Sequence, residues 1–415
     1  MSLGAALIDP RVHDGPAMRR AGPELLSLAL MDARSRTLGW LAAFEGLSFR
    51  EPFTDFDPPL WWVGHAAWFQ EYWIARHVQR SRGEAADPAG LRLPPVEPGV
   101  DAWFDPQAAS RAERWRREMP DAQALRRYLA LTLEGTLELL DKLGTGPDGA
   151  SDDAALHVYR LALQHEDRIG ETLAVLAQAL DLAPERLQGA QAAGWLAELP
   201  VRARRDSIGL PGQRMTLGAA HGGFVPETER WAHAVQVPEF EIDAQPVGWA
   251  EYAEFIDDGG YDDRRWWSCD GWDWLEATTR RAPRYVEQVA GGVLARRQGR
   301  MQRVPGAQPV LHVSAHEAEA WCRWAGRRLP TEPEWELAAT TAVRRGFVWG
   351  ELLEWTAGSA RAWPGAPASL AIAPGQRVLR GATLQASPRL RHPCARRFVP
   401  PTADELFCGF RSCSI

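Results

Sequence analysis

Between residues 22 and 190 apolar side chains recur every three or four positions. The stretches GPELLSLALMDARSRTLGWLAAFEGL, PPLWWVGHAAWFQEYWIARHV, DAQALRRYLALTLEGTLELLDKL and SDDAALHVYRLALQHEDRIGETLAVLAQAL all keep that spacing, which lays an apolar stripe along one face of an α-helix. Asp121 behind Pro120, and Ser151 with Asp152, suit N-caps, because a short side-chain oxygen can accept from the first free backbone N–H groups. Four such segments predict a four-helix bundle over residues 22–195. Residues 81–120 interrupt the pattern with RSRGEAADPAGLRLPPVEPGVDAWFDPQ. So much Pro and Gly reads as a long crossover between the second and third helices, and loops of that length are commonly functional or disordered.

The rhythm changes after AELPVRARRDSIGLPG. Short apolar pieces (QRMTLG, HAVQVPEFEID, PVLHVS, RVLRGA, LFCGFRSC) alternate with Gly and Pro turns, and helical spacing returns only in GWAEYAEFID and HEAEAWCRWAG. This predicts an irregular α+β domain over residues 205–415. No internal repeat is visible, so the chain reads as an α+β multidomain protein of two domains or three.

Composition narrows the function classes. With 45% hydrophobic and 24% charged residues the chain can bury ordinary soluble cores. Its net charge of -7 gives no electrostatic footprint for nucleic acid. The first residues meet Asp9 and Pro10 before any apolar run forms, unlike a secretory signal, and no stretch approaches the ~18 apolar residues of a membrane span. Cys269, Cys322, Cys394, Cys408 and Cys413 are odd in number and never form CxxC. Reduced thiols in the cytoplasm are the simplest expectation. Lys142 is the only lysine and asparagine is absent, a bias of the kind a GC-rich genome produces, whereas the 20 tryptophans supply indoles for cores or pocket walls.

Two histidines carry the candidate chemistry. His65 lies in WWVGHAAWF, and His165 continues the inward stripe of Tyr159, Ala162, Ile169, Leu173 and Leu176. His165 and Glu166 begin an HExxH-like pattern, in which two imidazoles one turn apart would share a helical face. The second position holds Ile169, which cannot ligate. Glu166 lies about 100° around the helix from His165 and does not replace it. Glu71 and Glu171 read as solvated helix-face charges, and His157, His312, His316 and His392 as structural. From these residues alone, buried core histidines and metal ligands on facing helices both fit.

The segments PVLHVSAHEAEAWCRWAGRRLPTEPEWELAA, WGELLEWTAG, RVLRGAT and LFCGFRSC, in that order, resemble the formylglycine-generating-enzyme-like (sulfatase-modifying-factor) domain, which has a C-type-lectin-like fold. PPLWWVGHAAWFQE and LALQHEDRIGETL resemble the DinB-like four-helix bundle that precedes this domain in the ergothioneine/selenoneine synthase family. GGYDDRRWWSCDGWDWLEATTRRAPRY and RLRHPCARRFVPPTADELFCGFRSC look closest to the selenoneine synthase branch. The resemblance implies one non-haem Fe(II), held by three histidines, that uses O₂ to join sulfur or selenium to the imidazole C2 of hercynine or a related histidine derivative. The donor it implies is a thiol or a selenosugar.

Carried onto this chain, the resemblance makes His65 and His165 metal ligands, places the third ligand at Ile169, and leaves the Glu of the family's HxxxHxE pattern at Glu171. Further departures are Ala315, the VGWAEY segment Val247–Tyr252 and Leu353. In the second domain Trp266 and Trp267, with Trp272 and Trp274, offer aromatic walls for a trimethylammonium group. Arg396, Arg397 and Arg411, with Arg391, offer guanidiniums for a substrate carboxylate. Ile169 also admits another reading, a substrate-binding or regulatory pseudoenzyme. A formylglycine-generating oxidase would need a pair of active-site thiols, which Cys394, Cys408 and Cys413 do not supply in the expected segments.

Overall fold

The computed structural model describes residues 9–47, 56–143, 152–187 and 197–415. The chain separates into two compact units. One is formed by the residues up to 196 with Gly222–Phe224 and Gln385–Leu390, the other by the remainder.

The first unit is helical. Its long helices are α1 (Pro23–Phe44), α2 (Pro59–Gln70), α4 (Ala122–Asp141) and α5 (Asp153–Ala179), with a short α3 (Val100–Phe104) between α2 and α4. Asp121 and Asp152 cap α4 and α5 as expected, accepting from Ala124 N and from Ala154 and Ala155 N; Ser151 and the predicted boundary at 195 lie outside the described residues. Helix α2 does not stop at Gln70 but widens into a π-turn at Glu71–Ala75, a geometry frequent at functional sites. The apolar stripes of α1, α4 and α5 meet in a core that includes Leu26, Leu30, Leu140, Tyr159 and Ala162.

Charges are threaded through this unit. The Arg34 guanidinium, 1% exposed, pairs with both oxygens of Glu166 at 2.8 and 3.1 Å and also bonds Gln70 and Thr132. Glu71 and Glu171, expected to be solvated, are both buried. Glu71 accepts from the Tyr128 hydroxyl at 2.6 Å and from Val96 N at 2.5 Å, and Glu171 lies 3.5 Å from Arg168. Residue type suggested solvated charges here but could not show what the crossover and neighbouring helices bring to them. Arg389, remote in sequence, grips both oxygens of Asp167 at 2.7 and 3.0 Å and Asp32 at 2.7 Å.

The second unit is short-stranded, as its Gly and Pro spacing predicts. Strands β1 (Ile208–Leu210) and β4 (Phe240–Ile242) form one antiparallel pair, and β2 (Gln213–Leu217) and β3 (His233–Val237) another. Strands β5 (Val286–Gln288), β6 (Leu294–Arg297) and β7 (Arg300–Arg303) make a three-stranded sheet. The largest sheet runs β10 (Arg396–Val399), β9 (Arg377–Gly381), β8 (Leu353–Ser359), β11 (Cys408–Gly409), with only the β8–β11 pairing parallel. Helices α6 (Trp249–Asp257), α7 (Cys269–Thr278), α8 (Ala315–Trp324) and α9 (Glu332–Thr341) complete the unit.

The RRLPTEPEWE stretch folds into a structural knot. Thr331 and Glu334 form a reciprocal capping box at the start of α9, which satisfies two otherwise orphaned N–H groups. Glu334 also binds Arg328 through two 2.8 Å contacts. Trp335 is fully buried and donates to Glu354 at 2.9 Å.

Candidate functional site

The two predicted histidines meet in the first unit. His65 is 5% exposed, stacked between Trp61 at 4.7 Å and Trp68 at 5.5 Å, which stand one turn before and one turn after it on α2. His165, on α5, keeps part of its surface accessible and is covered by Phe69, whose ring stacks at 3.7 Å. Their Nε2 atoms are 3.2 Å apart.

The protonation of the pair follows from its partners. His65 Nδ1 stands 2.9 Å from the Phe104 carbonyl oxygen. A carbonyl only accepts, so Nδ1 carries the proton and Nε2 presents a lone pair. Burial depresses the pKa of His65 to about 4 and that of His165 to about 3, the latter aided by His65 itself. Both rings are therefore neutral near pH 7, the state in which imidazole ligates metals.

This arrangement fits two ligands of one ion. Nitrogens 3.2 Å apart subtend about 100° at an ion ~2.1 Å from each, the relation of neighbouring coordination positions. His65 also has the supporting bond typical of a ligating histidine, its second ring nitrogen donating to a backbone carbonyl. Among the described residues a third side-chain ligand is not in place. Ile169, one turn beyond His165, is 1% exposed, and Glu166 is committed to Arg34 and Thr37. Among the described residues no group of three or more His, Cys, Asp or Glu side chains is arranged to hold a metal.

The second unit distributes its candidates differently. Trp267 is buried and donates to the Gly260 carbonyl at 2.8 Å. Arg411, fully buried, grips Glu354 at 2.5 and 2.8 Å and bonds the Asp243 carbonyl at 2.8 Å. Arg396 grips Glu332 at 2.6 and 2.9 Å and bonds the Thr228 and Arg361 carbonyls. These three side chains are occupied inside the unit. Trp266 and Arg397 are only half-buried.

A cavity of about 600 Å³ opens beside Arg396, lined among others by His233, Thr331, Glu332, Arg361 and Trp363. The Trp363 ring lies 3.8 Å from the Arg396 guanidinium. Arg396 thus shapes the cavity from behind, through Glu332 and Trp363. Composition and spacing gave no sign of Trp363, Phe69 or the Phe104 carbonyl, because each acts through a contact distant in sequence.

The second unit identifies the class of protein: residues 194–353 match the family of sulfatase-modifying factor enzyme 1-like domains. Over 94% of its length the chain is 30% identical to hercynine oxygenase of Mycolicibacterium smegmatis, covering 98% of that protein, and it is equally similar, with the same coverage, to hercynine oxygenase of Mycobacterium tuberculosis. The chain belongs to the hercynine oxygenase family. A shorter similarity, 34% identity over 37% of the chain and 52% of the relative, links it to the formylglycine-generating enzyme of Streptomyces coelicolor. These relatives make the protein an oxidative enzyme. No helix among the described residues is long and apolar enough to cross a membrane.

Proposed function

We propose that the protein is an oxygen-using, iron-dependent enzyme that joins a thiol or a selenol to the imidazole C2 of hercynine, within the selenoneine branch of its family. The observation that carries this reading is the convergence of two neutral imidazoles, His65 and His165, at 3.2 Å in a chain aligned along 94% of its length with hercynine oxygenases. The unit that presents them corresponds in this reading to a DinB-like bundle.

In this reading His65 and His165 hold the Fe(II), which when bound supplies the site for O₂ reduction. The balance closes on one O₂. The C2–H and chalcogen–H bonds are replaced by a C–S or C–Se bond, which releases two electrons. Two more come from the chalcogen, which keeps one oxygen atom while the other leaves as water. Trp68 and Trp61 hold the His65 ring in plane, and Phe69 does the same for His165. Trp266, Arg397 and the cavity walled by Trp363 are the proposed substrate contacts. Among the described residues none of the five cysteines is in a disulfide, and we assign the enzyme to a reducing compartment, the cytoplasm.

Anaerobic reconstitution with Fe(II), followed by incubation with hercynine, O₂ and either a thiol or a selenosugar, tests the reading. Stoichiometric iron and a C2-substituted product are expected. A protein that takes up no iron above background yet binds hercynine would instead be a substrate-binding pseudoenzyme, the second reading that the apolar, buried Ile169 favours.

A further inference from the structure

The crossover between α2 and α4 is not a slack connection. Three residues of one α2 face, spaced i, i+4 and i+7, each aim a ring nitrogen at the same short segment. Trp61 Nε1 donates to the Trp103 carbonyl at 2.8 Å, His65 Nδ1 to the Phe104 carbonyl at 2.9 Å, and Trp68 Nε1 to Asp101 at 2.6 Å. Arg76 adds a two-pronged bond to Asp101 at 2.7 and 2.9 Å. Helix α3 is thereby stitched along α2 with the Phe104 carbonyl opposite the candidate ligand.

Gly64, beside His65 in the sequence, explains how α3 comes so close. It lies within regular helix, so no special backbone conformation demands glycine there. A Cβ at that position would stand 2.1 Å from the buried Phe104 ring. Glycine provides space: with a Cβ there the buried Phe104 ring, on the residue whose carbonyl holds His65, would have to shift.

We propose that α3 is the positioning element of the histidine pair, in which the Phe104 carbonyl fixes His65 as the Nδ1–H tautomer and so turns the Nε2 lone pair toward His165, with Gly64 as the residue that permits the contact. The consequence for metal binding rests on the function proposed above; the tautomer itself does not. Losing such a supporting bond weakens metal binding by roughly 10–100-fold.

The test uses ¹⁵N-edited histidine spectra of the metal-free protein together with Co(II) titration by absorption. The wild type is expected to show His65 as Nδ1–H. Gly64→Ala is expected to lose that signature and to bind Co(II) roughly 10–100-fold more weakly. Gly64→Ala combined with Phe104→Ala, which removes the clashing ring atoms but keeps the carbonyl, should recover both. Should Gly64→Ala fail to fold, Asp101→Ala, which cuts the Trp68 and Arg76 anchors of α3, is expected to weaken the signature and the affinity together. A folded Gly64→Ala or Asp101→Ala protein with the wild-type tautomer and affinity overturns the proposal, as does a double variant that recovers neither. A wild type with His65 as Nδ1–H that takes no Co(II) would sink the metal reading and leave the tautomer lock standing.

Discussion

Ile169 is the residue on which the proposed metal site turns. One helical turn places residues i and i+4 side by side, so this position overlooks the same space as His165. In the wild type it adds apolar bulk and no ligand. Ile169→His puts a third imidazole there and is expected to tighten Fe(II) or Co(II) binding at least about tenfold, ~1.4 kcal/mol. Burying an imidazole in place of isoleucine, without a partner, is expected to lower metal-free stability by roughly 1–3 kcal/mol. The signature is therefore a larger metal-induced rise in melting temperature for the variant than for the wild type. Equal shifts in both proteins would mean that position 169 does not face the metal.

At the scale of the element, α5 shows what a periodicity can and cannot reveal. Its stripe brought Ile169, Leu173 and Leu176 to the interior and left His165 partly accessible, because a 3.6-residue repeat fixes which side chains share a face. Glu166 fell off that stripe. Its burial came from Arg34 on α1, a partner 132 positions away in the chain, and helical periodicity carries no information about partners. The same limit applies to Glu71, Glu171 and the α3 segment, whose roles are set by contacts across the unit. The RRLPTEPEWE motif was legible as a family signature, and the structure gives the reason: nearly every residue in it caps, pairs or packs.

The Arg34–Glu166 pair makes this difference measurable. Removing one member of a buried pair leaves the other charge uncompensated, which costs about 3–5 kcal/mol. Glu166→Ala is expected to lose stability of that order in urea denaturation while its metal stoichiometry, measured on the folded protein, stays that of the wild type. A variant of unchanged stability that no longer takes up metal would instead make Glu166 the missing ligand.

Across the whole molecule, folding must keep several imidazoles neutral, and His312 of the second unit, which is not one of the proposed metal ligands, isolates this effect. It is buried, with φ +61°, and its ring meets Tyr285 edge-on at 4.8 Å. Burial first, then the nearby Arg297 and Arg284 guanidiniums, depress its pKa to about 3, against the smaller opposing pull of the Leu406 and Glu405 backbone. In the unfolded chain a histidine titrates near ~6.5. Above that pH neither state binds the proton and the full stability is present. Below it the unfolded state takes up a proton that the native state refuses, so stability falls with pH until about 3. At pH ~5 the loss from this one group is about 2 kcal/mol. Asparagine tolerates the left-handed backbone at this position and does not titrate. Denaturation of wild type and His312→Asn at pH ~7.5 and ~5 should therefore show the wild type losing about 2 kcal/mol more on acidification. His65, His165 and the buried carboxylates contribute alike in both proteins and cancel in the difference. Parallel losses in the two proteins would mean that His312 takes up its proton in the native state, with its ring open to water.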